Sequence, residues 1–157
     1  MAEDSSSNVD VARSLLAAGG AASLATLEPD GGPYASYVVT ATAADGAPLT
    51  LLSRLARHSQ NLERDPRASL LFVREPEVGS ESMTALRLTL AGRCMKDNEA
   101  ESRRLFLKRH PDAARYAGFA DFSLYRFEIA GGHLVAGFGR IVDLTREELL
   151  GSRHAAS

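Results

Sequence analysis

The densest group of chemically useful side chains lies in the stretch LLSRLARHSQNLERDPRASLL, residues 51–71. An apolar run there gives way to a polar one, which is typical of a strand that leads into a helix. The side chains at this junction are Ser53, Arg54, Arg57, His58 and Ser59. A helix start attracts anions, and arginines and hydroxyls can donate charge-assisted hydrogen bonds to them. The junction could therefore hold a phosphate, but helix starts normally carry acidic side chains and not arginines, so the residues alone favour a solvated basic helix start.

A second candidate surface belongs to the strand predicted over residues 85–95, ALRLTLAGRCM. Its leucines alternate with Arg87, Thr89 and Ala91, so the two sets should lie on opposite faces of the sheet. The face that carries Arg87 could contact a polar ligand. Taken alone, the spacing favours the simpler interpretation that this face is in water.

Other kinds of site lack support in the sequence. The four histidines are scattered, with no pair at the i, i+4 spacing of a helical metal site, so no metal site is predicted. Cys94 is the single cysteine, which excludes an internal disulfide and a zinc site built from several thiolates. Neither a glycine-rich phosphate loop nor a nucleophile motif is present, and no catalytic residue is predicted.

The elements that must position these residues are mainly strands. Strands are predicted over residues 21–28, 34–42, 49–53, 68–74, 85–95, 123–129 and 134–138, the last two joined by a hairpin at Gly131-Gly132. Helices are predicted over residues 9–18, 56–64 and 98–109, with a short piece at 112–117 and a capped start at Thr145. Six or seven strands, mostly joined by hairpins, indicate a mainly β, closed or partly closed antiparallel barrel with inserted helices.

Length and composition indicate one domain. The 157 residues are 45% apolar and carry a net charge of −2, which suits a small globular protein and argues against a nucleic-acid-binding surface. Residues 1–8 are expected to be a disordered tail, residues 9–150 the domain and residues 151–157 a second tail. Neither a secretory signal nor an apolar stretch of about 18 residues, the length that spans a bilayer, is visible. A cytoplasmic location with no membrane partner is therefore expected.

Three stretches carry a family resemblance: ATLEPDGGPYASYVV, NLERDPRASLL and LRLTLAGR. Together with the order of elements, they resemble the pyridoxamine-phosphate-oxidase-like split barrel, an FMN-binding fold. The stretches RHPDAARYAGFADFSLYRFEI and LVAGFGRI are most similar to the branch that includes the bacterial split-barrel haem oxygenases. The resemblance runs from about residue 9 to residue 141, so it covers nearly the whole chain.

The resemblance implies a homodimer with an FMN site at its interface, built from both subunits. The second strand would lie along the flavin ring, through Ser36, Tyr37, Val38 and Val39. The end of the third strand and the helix start would hold the phosphate, through Ser53, Arg54, Arg57 and His58. The fifth-strand position that often contacts the ring or the ribityl chain falls at Arg87. Family members often carry Arg-Lys where this chain has Arg57-His58, which would weaken the charge offered to a phosphate.

The function implied is that of an FMN-dependent oxidoreductase acting on an unidentified small molecule. The alternatives are haem binding and degradation on the same barrel, a non-catalytic flavin- or haem-binding protein, a deazaflavin in place of FMN, and a site that has lost its ligand. Oxidation of pyridoxamine phosphate itself is not expected, because the C-terminal Arg-x-His motif of those enzymes is missing here. Haem-degrading relatives commonly carry a further C-terminal α/β domain, for which this sequence has no matching segment.

Overall fold

The structure, a computed structural model, describes residues 2–151. The strands are β1 (Gly20–Leu27), β2 (Pro33–Thr42), β3 (Pro48–Ser53), β4 (Arg67–Val73), β5 (Arg87–Lys96), β6 (Phe122–Val135) and β7 (Ile141–Thr145). The helices are α1 (Ala2–Ala18), α2 (Arg57–Arg64), α3 (Ala100–Arg109) and α4 (Arg146–Leu150). Two short 3₁₀ turns, Ser82–Thr84 and Pro111–Arg115, lie in the loops.

The strands form one antiparallel sheet in the order β3-β2-β1-β4-β5-β6-β7. Strand β3 also pairs with β6, so six strands close into a barrel and β7 extends it beyond β6. The predicted mainly β split barrel is therefore confirmed. The first three strands form an antiparallel meander, since β1 pairs with β2 and β2 with β3, in keeping with the predicted hairpin connections.

Alternation along the strands explains the core. On β5, Leu88 and Leu90 are fully buried inside the barrel, whereas Ala91 is exposed on the outer face. Strand β4 alternates in the same way, with Leu70 and Phe72 inside. The apolar run of β4 would suit a strand buried on both faces, but its outer side is exposed at Val73.

Helices α1 and α4 pack against the main core of the barrel, and helix α3 covers a second apolar cluster. Helix α1 packs against the main core through its apolar face, and α4 joins it there. The α4 start has the expected capping box, in which Thr145 and Glu148 each bond the other's backbone. Helix α3 covers a second apolar cluster on β2 and β3, centred on Phe106 and Leu49.

The N-terminal boundary differs from the prediction. Helix α1 begins at Ala2 rather than near residue 9, so the expected tail of residues 1–8 is helical from its second residue. The side chain of Arg140 donates to Asn8 Oδ1 at 2.7 Å, which fixes this part of the helix to the loop before β7. Most of the expected second tail, residues 152–157, lies outside the described residues.

The predicted hairpin at Gly131-Gly132 was wrong. Strand β6 continues through both glycines, which pair with β5 on one side and with β7 on the other. Gly132 instead lets a neighbouring segment pack closely, because a Cβ there would lie 3.0 Å from Leu149 Cδ1. The final strand is therefore β7, which begins at Ile141, seven residues after the start predicted at residue 134.

Candidate functional site

The predicted junction between strand and helix exists, and it is tied to the loop before β6. Strand β3 ends at Ser53, whose Oγ donates to Asp121 Oδ2 at 3.1 Å and accepts from the N–H of Leu55 at 3.2 Å. The N–H of Arg54 donates to the carbonyl of Asp121 at 2.5 Å. These bonds hold the turn between β3 and α2 in place and leave the Arg54 side chain exposed.

Helix α2 is anchored on β1 by buried polar contacts. The Nδ2 of Asn61 donates to Thr26 Oγ1 at 3.1 Å, and Arg64 donates to Asn61 Oδ1 at 2.6 Å. The first turn of α2 contains no acidic side chain, and its N-cap, Ala56, makes no side-chain cap. Ser59, one of the junction residues of the sequence analysis, is buried and does not face the surface.

Arg57 is already engaged by two residues that the sequence did not single out. Its Nη2 lies 2.6 Å from Glu28 Oε1, and its guanidinium carbon lies 5.1 Å from the centre of the Tyr34 ring. The Glu28 side chain is only 15% exposed, whereas that of Arg57 is 64% exposed. The Arg57 charge is therefore partly neutralised before any ligand arrives.

His58 lies beside Arg57 but plays a different part. Its Nδ1 is 2.9 Å from Ser36 Oγ on β2. Partial burial disfavours the charged form and lowers the pKa of His58 below its usual value, so the imidazole is mainly neutral at pH 7. No residue of the described chain makes a hydrogen bond to its Nε2.

Large apolar side chains are exposed around these polar residues. Tyr37 is 73% exposed, Leu55 is 70% exposed and Phe119 is 57% exposed. Tyr37 follows Ser36 on β2, Leu55 follows Arg54, and the Phe119 ring lies 6.5 Å from that of Phe122, which pairs with Ser53. Tyr37 lies on the opposite face of β2 from Ser36. We name the surface at the end of β3 and the start of α2 the β3–α2 patch, and its members are Ser36, Ser53, Arg54, Leu55, Arg57, His58 and Phe119.

The expected ring-contacting segment of β2 is only partly available. Val38 is 4% exposed and belongs to the barrel core, whereas Tyr37 and Val39 point to the outer side. Pairing between β2 and β3 begins at Thr40, so the edge of β2 before it has no β3 partner. The backbone at Tyr37 on that edge can therefore still contact a ligand, as predicted for this strand.

Arg87 does not join the patch within one chain. It pairs with Val135 at one end of β6, whereas Ser53 pairs with Phe122 at the other end. Its Nη1 donates to the carbonyls of Met83 and Ala85, each at 3.1 Å. Arg87 thus remains a prediction that requires a second subunit to bring it to the site.

Four residues that shape the site were not predicted from the sequence: Glu28, Tyr34, Phe119 and Asp121. Two of them act through contacts between distant parts of the chain, Glu28 on Arg57 and Asp121 on Ser53. A carboxylate in a turn gives no local signal of such a partner. The exposed phenylalanine in YAGFADF was the one visible hint, because a large apolar side chain in a loop often contacts a ligand or partner.

Residues 2–151 contain neither a cluster of metal-binding side chains nor a helix that could span a membrane. Within that range no three His, Cys, Asp or Glu side chains are close enough together to hold a metal ion. No helix in the same range is both long and apolar enough to cross a membrane.

Comparison with models of protein families shows which family the chain belongs to. The CREG β-barrel model matches residues 3–150. The chain belongs to the CREG β-barrel family. The chloroplastic haem oxygenase HOZ of Arabidopsis thaliana is 38% identical over 102 residues, which are 63% of this chain and 30% of that protein. The haem oxygenase HutZ of Vibrio cholerae is 26% identical over 137 residues, or 83% of this chain and 77% of the relative.

Solved structures place this CREG-family chain in the same group. A haem-binding protein from Mycobacterium smegmatis has a TM-score of 0.84 at 32% identity, over 91% of this chain and 60% of that one. A protein of the pyridoxinephosphate oxidase family from Clostridium acetobutylicum, related to general stress protein 26, has a TM-score of 0.69 at 14% identity, over 92% and 98% of the chains. The latter shows a shared fold alone. The resemblance to a split-barrel branch with haem oxygenases is confirmed.

Proposed function

We propose that the protein binds haem at the β3–α2 patch and takes part in haem degradation. The observation that carries the proposal is the combination of exposed Leu55 and Phe119 with the exposed side chain of Arg54 at the end of β3. Haem is a flat apolar macrocycle with two carboxylates on one edge, so it suits a surface of large apolar side chains bordered by arginines. Two relatives that are haem oxygenases and one haem-binding structure support the same ligand. Because this chain spans only 30% of HOZ and 60% of the M. smegmatis protein, the activity is proposed and not carried over.

The patch fits haem better than it fits FMN. A flavin phosphate carries close to two negative charges and needs free cations around it. Arg57 is already paired with Glu28, and His58 is neutral, so the cation left for a phosphate is mainly Arg54. FMN remains the second candidate, favoured by the unpaired edge of β2 before Thr40, where backbone groups could contact a flavin ring.

Both ligands would require a second copy of the chain to cover them. The outer face of the sheet offers a row of small residues for it, because Ala35, Ala25, Ser69 and Ala91 lie opposite one another across four strands. Small side chains let two such faces approach closely, and twofold pairing is the commonest arrangement. We propose a homodimer through this face, in which the partner's Arg87 faces the bound ligand.

Each group of the patch would have a distinct part in binding. Bound haem supplies the redox chemistry by which dioxygen is activated when a reductant is present. Arg54 would hold a propionate by a charge-assisted hydrogen bond. Leu55 and Phe119 would pack against the macrocycle and exclude water from it. Asp121 keeps the turn that carries Arg54 and Leu55 in position through its bonds to Ser53 and Arg54.

The proposal is tested by titrating the full-length protein with haemin and, in parallel, with FMN. We expect a saturable Soret band with haemin that survives desalting, and its slow loss when ascorbate is added in air. With FMN we expect no flavin absorbance after desalting. Retained flavin bands together with no Soret change would overturn haem in favour of FMN. No change with either ligand would show that the patch binds neither.

A further inference from the structure

We infer that the cavity between α2 and the end of β5 is a binding site for a small neutral aromatic molecule that carries a hydroxyl group. We name it the α2–β5 cavity, and its volume is about 290 Å³. Its lining residues are Leu62, Glu63, Pro66, Cys94, Met95, Lys96 and Tyr125. The cavity shares no residue with the β3–α2 patch, so the inference does not depend on the proposed function.

The walls of the α2–β5 cavity suit an apolar ring. Leu62 and Cys94 are buried there, whereas Met95 is exposed and lies towards the solvent. The thioether of a methionine is polarizable and makes favourable contacts with aromatic rings. An apolar cavity of about 150 Å³ is large enough to hold benzene, so this cavity has room for a ring with substituents.

Two buried hydroxyl groups give the cavity a polar end. Tyr125 lines the cavity, and Ser59 on α2 lies beside it. The Ser59 hydroxyl is close enough to influence the pKa of Tyr125, yet Ser59 Oγ makes no well-formed hydrogen bond among the described residues. A buried polar group without a partner is rare, because it loses its bonds to water and gains none in return. A ligand hydroxyl that bonds Tyr125 and Ser59 would supply the partner.

The charged groups of the cavity favour a neutral ligand over an ion. Lys96 Nζ lies 3.2 Å from Glu63 Oε1, so the two charges balance each other. The phenol of Tyr125 keeps its proton at pH 7, because burial raises its pKa and the Glu63 carboxylate raises it further. A neutral hydroxyl compound can bond the uncharged end of the cavity, whereas an ion would have to compete with the pair of Glu63 and Lys96.

Two other occupants would also fill the α2–β5 cavity, and the experiment must separate them from an aromatic ligand. Water could bond Ser59, but it gains nothing from the apolar walls at Leu62 and Met95. A side chain of a second copy of the chain could enter as well, and its occupancy would then depend on protein concentration. An aromatic hydroxyl compound uses both the walls and the polar end, which is why we favour it.

The first test titrates the full-length protein, isotope-labelled at its methionine methyl groups, with phenol and follows it by NMR. The chain has three methionines, and Met95→Leu assigns the signal of the one in the cavity. Met83 precedes the other end of β5 and serves as an internal control. We expect a saturable shift of the Met95 signal and none of the Met83 signal. No saturable shift, equal shifts of both signals, or a Met95 signal that moves with protein concentration before phenol is added would each overturn the inference.

The second test measures the preference for phenol over toluene, which is the ratio of their dissociation constants, because toluene has nearly the same shape but no hydroxyl. We expect Tyr125→Phe and Ser59→Ala each to lower this preference by up to about tenfold, the scale of one neutral hydrogen bond. Tyr116→Phe, outside the cavity, is the matched control and should keep it. Ser59→Ala should not lower Tm, since its hydroxyl has no partner to lose; it also keeps the inference testable if Tyr125→Phe is unstable. An unchanged preference in Ser59→Ala would overturn the role of the buried hydroxyls, and with it the inference.

Discussion

The carboxylate of Glu28 lies 2.6 Å from the guanidinium of Arg57, at the end of β1 and the start of α2 respectively. Glu28 is the more buried of the two, so its charge cannot be screened by water as well as that of a surface carboxylate. The arginine that the sequence marks as the main anion anchor is thereby held by an internal counter-ion. Glu28 thus limits how strongly the site attracts any anionic ligand.

Removal of the Glu28 charge should strengthen anion binding. We expect Glu28→Gln to raise the affinity for FMN, and to a smaller extent for haemin, because Arg57 can then turn to the ligand phosphate or propionate. A hydrogen bond to a charged group contributes about 1.5–3 kcal/mol, so the gain in FMN affinity should not exceed that range. The measurement is the dissociation constant by absorbance titration. The matched control is Glu101→Gln, which breaks the exposed pair with Arg104 on α3; equal effects of both variants would contradict the argument.

Phe119 should contribute to haem affinity through apolar contact. We expect Phe119→Ala to weaken haemin binding by about 1–2 kcal/mol, since it removes much of a large apolar side chain from the proposed contact surface. Phe138 provides the control, because it is 91% exposed in the loop between β6 and β7. Phe138→Ala should leave the haemin titration unchanged. An unchanged dissociation constant for Phe119→Ala would remove the loop before β6 from the site.

The dimer can be tested through the outer face of the sheet. We expect wild type at micromolar concentration to scatter light as a particle of twice the 16.8 kDa chain. Ala25→Glu places an uncompensated charge in the row of small residues, and we expect it to give monomers. Ala114→Glu, on an exposed turn, is the control and should remain dimeric. A wild-type protein of monomer mass would leave the partner's Arg87 without a role in the site.

The barrel was predictable because its signals are local. The alternation around Leu88 and Leu90 shows which face of β5 is buried, and the Thr145–Glu148 spacing shows where α4 begins. The pair Gly131-Gly132 was ambiguous, since two glycines are typical of a turn and equally of a place where another segment packs closely. Only the position of Leu149 distinguishes the two.

The site was predictable in its location but not in its electrostatics. The stretch SRLARHS marks the end of β3 and the start of α2, and the structure places Arg54, Arg57 and His58 together there. The partners that decide their chemistry are Glu28 for Arg57 and Ser36 for His58, both on earlier parts of the chain. Such contacts depend on strand order and register, which the composition of one segment does not contain.

Gly92 should tolerate no side chain. It lies at the irregularity where β5 passes β6, and a Cβ there would come within 3.1 Å of Phe127 and closer still to the carbonyl oxygen of Glu128. We expect Gly92→Ala to lower the free energy of unfolding by about 2 kcal/mol or more, because backbone must shift. Gly118→Ala is the control, since no atom lies within 4 Å of the place its methyl group would take. Urea denaturation measures both, and equal midpoints would show that the strand pair can relax.

Cys94 should be inert while the protein is folded and should link stability to alkaline pH. Burial raises the pKa of its thiol from 9.0 to about 12, so the folded state keeps the proton at pH values where the unfolded chain loses it. The free energy of unfolding should therefore be unaffected below pH 9 and should fall as the pH rises from 9 towards 12. Maleimide labelling at pH 8 should be slow in buffer and fast in urea, and because the chain has one cysteine the signal comes from Cys94 alone. Rapid labelling of the native protein at pH 8 would show that the thiol is accessible through the adjacent cavity of about 290 Å³ that Met95 and Tyr125 line.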